Sequence, residues 1–150
     1  MKDQLSIDQT IESMNNINDK IYEVQRAPGN RRTIDIKISK GRLIFDAASN
    51  SILWRIEKSK FKYSEPGLEI NVGNLMVKTI ESNPYTVDLW KNYSIDITNN
   101  GKQEFKELDE ASTPYQLSIE NMGISPEGKI IIDIGNKSKG IDYMGFGGDD

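Results

Sequence analysis

Apolar residues near the start of the chain recur at steps of three and four, which is the spacing of one stripe along an α-helix. We predict a helix from Leu5 to Val24, because Pro28 and Gly29 follow the stripe as a stop signal. Ser6 and Gln9 have the spacing of an N-terminal capping box. The stripe consists of Ile7, Ile11, Met14, Ile17, Ile21 and Val24.

The predicted helix has to pack against another surface, since an isolated helix of about 20 residues is only marginally stable in water. The stripe packs either on the protein's own sheet or on a partner helix, and the pattern is compatible with both. Asn15 and Asn16 weaken the helix at its middle, because their amides compete for backbone hydrogen bonds. We therefore expect the turns around Ile21 to dock on the sheet and the stretch before Met14 to project from the body.

After Arg31 the period of the apolar residues changes to two, which is typical of half-buried antiparallel strands. About nine or ten short strands follow without helical patterns between them. The predicted fold class is therefore α+β, mainly β, with one N-terminal amphipathic helix followed by an antiparallel β-sandwich or open barrel. The alternating segments are 33–38, 52–56, 68–72, 85–89, 94–97, 115–119 and 129–134, with shorter candidates at 43–46, 61–63 and 75–79 and a weak strand around Phe105.

Turn residues separate these segments, and Gly73-Asn74 and Asn100-Gly101 are the strongest hairpin signals among them. The end of the chain is rich in glycine and closes with two aspartates, a composition that buries little surface. We predict an amphipathic helix over 1–28, a β-sandwich domain over 29–134 and a Gly-rich flexible tail over 135–150.

The amino-acid composition excludes several classes of function. The 23 acidic residues outnumber the 19 basic ones, and the formal charge of −4 argues against a nucleic-acid partner. The chain has no cysteine and no histidine, so it lacks disulfides, thiol nucleophiles and the commonest general base and metal ligands. We therefore predict no metal, no cofactor and no enzymatic activity. A membrane contact would need a further segment upstream, because no run of about 18 apolar residues occurs.

Acidic residues cluster most densely before Ala111. Paired carboxylates at a suitable separation hydrolyse glycosides without histidine, whereas the simpler interpretation is a solvated acidic loop. No sequence motif favours a glycoside hydrolase site over a solvated acidic loop. The cluster consists of Glu104, Glu107, Asp109 and Glu110.

Aromatic and basic side chains mark two further surface candidates. Trp54 shares a face with Ile52 and Ile56 and is predicted to be core, whereas Trp90 lies opposite the apolar face of its strand and is the candidate aromatic surface site. Three alternating lysines either bind an anionic polymer or protect an exposed sheet edge. They are Lys58, Lys60 and Lys62.

Asn92 and Asn136 each begin an N-x-[ST] tripeptide, the acceptor pattern for N-glycosylation. The pattern is frequent by chance. It bears on function only if the protein is exported, in which case a sugar would be attached at a turn or at the tail.

Four features together resemble a known family: the striped helix, the Arg31-Arg32 entry to an isoleucine-rich strand, the Lys40-Gly41 turn before 43–46, and the hairpin into 50–57. They are similar to archaeal type IV pilin-like proteins. The resemblance covers Ile7 to about Glu57 best, and the remaining strands only as a general pattern. In that family a class III signal peptide precedes a strongly hydrophobic helix, whose amphipathic second half leads into a β-sandwich head.

The resemblance implies a non-enzymatic structural or accessory subunit of an archaeal pilus- or archaellum-like assembly, located extracellularly or at the cell surface. The six stripe residues would pack the head onto its stem, and the partners would be further copies or other pilin-like or S-layer proteins. The family's signal peptide and apolar helix of about 20 residues are absent, so Met1 would begin an engineered soluble fragment. The alternatives are a secreted β-sandwich that binds glycan or an S-layer protein, and a histidine-free carboxylate glycoside hydrolase.

Overall fold

A computed structural model describes residues 2–136, with side chains described from Ser6 onward. Within these residues one helix is followed by ten strands in two sheets, and the predicted α+β, mainly β fold class is confirmed. The elements are α1 (Lys2–Val24), β1 (Arg31–Ile36), β2 (Arg42–Asp46), β3 (Ser51–Ser59), β4 (Glu69–Val72), β5 (Leu75–Glu81), β6 (Tyr85–Asn92), β7 (Asp96–Asn99), β8 (Phe105–Leu108), β9 (Tyr115–Ile124) and β10 (Ile130–Asn136).

Four strands form sheet A in the order β1-β9-β10-β7, and six form sheet B in the order β4-β5-β6-β3-β2-β8. All neighbours pair antiparallel except β7 and β10, which are parallel. The predicted antiparallel β-sandwich therefore contains one parallel pair. Because β8 and β9 lie between β7 and β10 in the chain, the connection is long enough for a parallel pair.

One apolar core contains residues from α1 and from both sheets. Alternate side chains of the strands face this core, so each sheet has an inner face toward the other sheet and an outer face toward solvent. Trp54, on the inner face of β3, is 2% exposed, and its indole Nε1 donates to the Lys40 carbonyl at 3.0 Å. The prediction that Trp54 belongs to the core is confirmed.

The turn before β2 requires glycine. Gly41 has a φ of +86°, and a Cβ there would lie 2.4 Å from the Arg55 carbonyl oxygen. A side chain at this position would therefore strain the backbone and collide with β3.

The start of the helix differs from the prediction. α1 already includes Lys2, so Ser6 lies inside the helix and does not cap it. The Ser6 carbonyl accepts a hydrogen bond from the Thr10 hydroxyl at 2.8 Å. The capping-box prediction was therefore wrong, whereas the stop is correct, since α1 ends at Val24 and Gly29 has a φ of +88°.

The predicted strand at 61–63 is absent, whereas the predicted hairpin turn at Asn100-Gly101 is confirmed, since Asn99 and Lys102 on either side of it form an antiparallel bridge. Residues 61–63 form no strand, because β3 ends at Ser59 and the following loop packs Phe61 edge-on to Tyr63. Asn100 and Gly101 do form a tight turn with positive φ at both residues. The strands on either side of this turn nevertheless belong to different sheets, because β7 pairs with β10 and β8 pairs with β2.

The predicted tail begins inside the last strand. Gly135 pairs with Ser118 and Asn136 with Leu117, so β10 continues two residues past the predicted domain boundary. The rest of the predicted tail, 137–150, lies outside the described residues.

Candidate functional site

The apolar stripe of α1 faces the interior between the two sheets. Five of its six members are buried, and Ile11 is half-buried against the core. The opposite side of the helix carries exposed Asp8, Glu12, Asp19 and Tyr22. The helix therefore closes one side of the sandwich, with a polar face toward solvent. The buried members are Ile7, Met14, Ile17, Ile21 and Val24.

Hydrogen bonds hold α1 to both sheets. The Asn121 side chain, on the inner face of β9, donates from Nδ2 to the Val24 carbonyl at 3.0 Å and so satisfies a carbonyl at the helix end. The Tyr93 hydroxyl, just after β6, donates to Asn18 Oδ1 at 3.0 Å. Burial of this phenol raises its pKa above the ordinary value.

The expected projection of the first half of α1 is wrong. Ile7 is 0% exposed, the same as Ile21, so burial continues through the Asn15-Asn16 pair to the early turns. Trp54 of sheet B lies beside Ser6 and Thr10 across a small cavity. The low helix propensity of two asparagines is outweighed because the surrounding core holds the helix on both sides of them.

Trp90 lies on the outer face of sheet B. It is half-buried, whereas Val87 and Leu89 of the same strand are fully buried on the inner face. Leu53 of β3 and Met76 of β5 stand directly opposite Trp90 in the sheet register. Cross-strand neighbours at this spacing contact one another, so the indole is the centre of an apolar row across the open face.

Polar side chains flank this row. On one side Arg55 forms a bidentate pair with Asp88, with distances of 2.8 and 2.9 Å, and this pairing raises the pKa of Arg55. Lys78 stands opposite Asp88 on the next strand. On the other side Ser51 stands opposite Asn92. An aromatic ring between two rows of hydrogen-bonding groups can stack on a sugar ring.

The acidic cluster surrounds β8 on the protein surface, and two of its carboxylates hold neighbouring segments. Glu107 pairs with Arg42 at 3.4 Å, and Glu110 accepts the Gly41 N–H at 2.8 Å. Asp109 and Glu110 line an open cleft in which Arg42 and Arg55 also take part. The exposed carboxylates are Glu104, Glu107, Asp109 and Glu110.

The three lysines do not form one row. Lys58 has a φ of +56° beside a register shift in β3, and the strand ends at Ser59. Lys60 and Lys62 belong to the loop that follows, and Lys62 pairs with Glu65 at 3.4 Å. The prediction of a lysine-lined strand was therefore wrong, because the backbone leaves the sheet between the first lysine and the second.

The two candidate glycosylation sites differ in accessibility. Asn92 is exposed at the end of β6, and Ser94 of its tripeptide is also exposed. Asn136 is half-buried within β10, where it pairs with Leu117 of β9. Because transfer of a sugar requires an accessible amide, Asn92 is the better acceptor of the two.

Opposite α1, a group of buried polar atoms that was not predicted from the sequence joins the two sheets. Asn99 of β7 is 3% exposed, and its Nδ2 donates to the carbonyls of Phe45 (3.1 Å) and Glu104. Lys106, opposite Phe45 on β8, has a buried Nζ without a hydrogen-bond partner among residues 2–136. Burial lowers the pKa of this amine, and the Asp133 carboxylate partly opposes the shift. We call Asn99, Lys106 and these two carbonyls the polar seam.

The part of the chain that the structure describes holds no group of three or more His, Cys, Asp or Glu side chains placed to bind a metal ion. Within residues 2–136, no helix combines the length and the apolar composition needed to cross a bilayer. Comparison with family models, curated proteins and solved structures finds no match.

Proposed function

We propose that this chain is a non-enzymatic structural or accessory subunit of an archaeal pilus- or archaellum-like cell-surface assembly. The observation that carries the proposal is the lengthwise burial of α1 between the sheets from Ile7 to Val24. A helix held in this way links the body rigidly to whatever contacts its first turns or its exposed face. This is the mechanical requirement for a head carried on a stem.

The polar face of α1 supports an assembly role because it leaves groups available to neighbouring subunits. Tyr22 is 67% exposed, so its ring is available to a neighbouring subunit. In the proposed assembly, further copies or other pilin-like or S-layer proteins contact this face. Localisation is extracellular or at the cell surface.

Fractionation of the source cells tests this proposal. An antibody against the purified chain should detect it in sheared surface filaments or in the envelope fraction. The coding sequence upstream of Met1 should encode a basic stretch followed by about 20 apolar residues. Detection only in the cytosolic fraction, without such an upstream segment, would contradict the proposal.

A matched pair of variants on α1 tests the role of the exposed face. Tyr22→Ala should leave the free energy of unfolding nearly unchanged but lower the amount of protein recovered in the surface fraction. Gln9→Ala, also at an exposed position of α1, is the control and should be recovered like the wild type. Equal recovery of all three proteins would exclude Tyr22 from the assembly contact.

The second candidate is a secreted β-sandwich that binds glycan or an S-layer protein, and the Trp90 row with its polar flanks favours it. If this candidate is right, added polysaccharide changes the tryptophan fluorescence in a saturable way, and Trp90→Ala abolishes the response. The buried Trp54 remains as an internal control for folding. Under the subunit proposal we expect no saturable response.

A further inference from the structure

Sheet B ends at β4, which has a strand neighbour on one side only within the described residues. Its apolar side chains alternate on one face, and the edge leaves them incompletely covered. Leu68, just before the strand, is 53% exposed, while Ile70 and Val72 are half-buried against the core. One more strand beside β4 would cover all three.

β4 is short, with four residues, but its side chains provide little of the usual protection against pairing. Natural edge strands carry lysines, prolines or bulges that block the addition of another strand. β1, at the edge of sheet A, follows this rule with Arg31, Arg32 and Asp35 among its six residues. β4 has neither lysine nor proline, its only charged residue is Glu69, and its pairing with β5 has no register shift.

We propose that β4 pairs antiparallel with β4 of a second copy of this chain, with Ile70 opposite Ile70. In this register Leu68 lies opposite Val72, so apolar side chains meet apolar side chains on the inner face. On the outer face Glu69 lies opposite Asn71, and no like charges face each other. The segment is therefore complementary to itself, which is what a two-fold interface requires.

This pairing goes beyond the proposed cell-surface role and does not depend on it. The two-fold arrangement closes on itself, so it produces a dimer with one continuous sheet B and not a fibre. The paired segments are short and bury less surface than a permanent interface does. We therefore expect a concentration-dependent dimer in reversible exchange with the monomer.

Opposite charge changes at Asn71 provide the test, measured by sedimentation equilibrium of the full chain. Asn71→Lys places a cation opposite Glu69 twice in the dimer and should lower the dimer Kd by roughly tenfold. Asn71→Glu places one carboxylate opposite Glu69 at each of the two equivalent positions and should raise the Kd by a similar factor. Asn71 is exposed, so both variants keep the fold, which circular dichroism verifies.

A charge-reversed double variant tests whether Glu69 lies opposite residue 71, and a control variant accompanies it. Glu69→Lys combined with Asn71→Glu restores opposite charges across the two-fold axis and should recover dimerisation. Asn74→Glu, in the exposed turn after β4, is the charge-matched control and should leave the Kd unchanged. A wild-type chain that stays monomeric at all concentrations would overturn the proposal. Equal Kd values for the two Asn71 variants, or growth of fibres, would also overturn it.

Discussion

The sandwich is closed on two sides by different chemistry. On one side α1 inserts an apolar stripe between the sheets, and a few hydrogen bonds from Asn121 and Tyr93 hold it in place. On the other side the polar seam joins β7 to β2 and β8 through the buried amide of Asn99. Apolar closure depends mainly on buried area, whereas polar closure depends on whether every donor finds an acceptor.

The two sides of the sandwich differ in how they lose stability when side chains are removed. An apolar side loses stability gradually as methylene groups are removed, in proportion to the cavity that forms. A polar side fails when one partner is removed, since the groups left behind are buried and unsatisfied. We therefore expect the largest losses of stability for substitutions in the apolar stripe of α1. Smaller losses, each caused by one unpaired polar group, are expected for substitutions in the polar seam.

The largest expected effect is the loss of a stripe residue. Ile7→Ala and Ile21→Ala should each lower the free energy of unfolding by about 2–5 kcal/mol, because both side chains are completely buried. Denaturant melts measure this, with exposed Tyr22→Ala as the control. An Ile7→Ala variant as stable as the wild type would mean that the first half of α1 projects from the body.

A smaller loss is expected at the seam. Asn99→Ala should cost about 1–3 kcal/mol, because the carbonyls of Phe45 and Glu104 lose their shared donor. Gln103→Ala, in the exposed turn nearby, is the control. If Asn99→Ala and Gln103→Ala melt at the same denaturant concentration, the amide does not hold the two sheets together.

The smallest expected effect is an increase in the free energy of unfolding. Lys106→Met removes a buried amine that has no hydrogen-bond partner in the described part of the chain, and it should raise the free energy of unfolding by about 1 kcal/mol at neutral pH. Lys102→Met, at an exposed position, is the control.

The pH dependence of this gain follows from the direction of the pKa shift. The folded state lowers the pKa of Lys106 below its ordinary value of 10.5, so the unfolded chain binds more protons in the intervening range. Wild-type stability therefore rises with pH through that range, and the advantage of Lys106→Met shrinks as pH approaches 10.5. An advantage that grows with alkaline pH would contradict the assignment of a desolvated amine.

Much of the fold was predictable because local pattern and burial agree. The stripe of α1 and the alternation in β3 each place the same side chains inside that the structure buries. Asn99 and Asn121 were harder to interpret, although a signal exists. Asn99 continues the alternation of Ile95 and Ile97, so a polar residue in phase with an apolar face indicates a buried amide that needs partners.

The sequence by itself determined the order of elements, the change from helix to strands near Arg31 and the inner face of most strands, since these follow from side-chain periodicity within one segment. Only the tertiary structure decided that Asn100-Gly101 turns the chain from one sheet to the other, that β7 and β10 run parallel and that α1 is buried from Ile7 onward. These features depend on which distant segments meet, because the same alternating strand can pair with any neighbour that completes its hydrogen bonds and covers its apolar face.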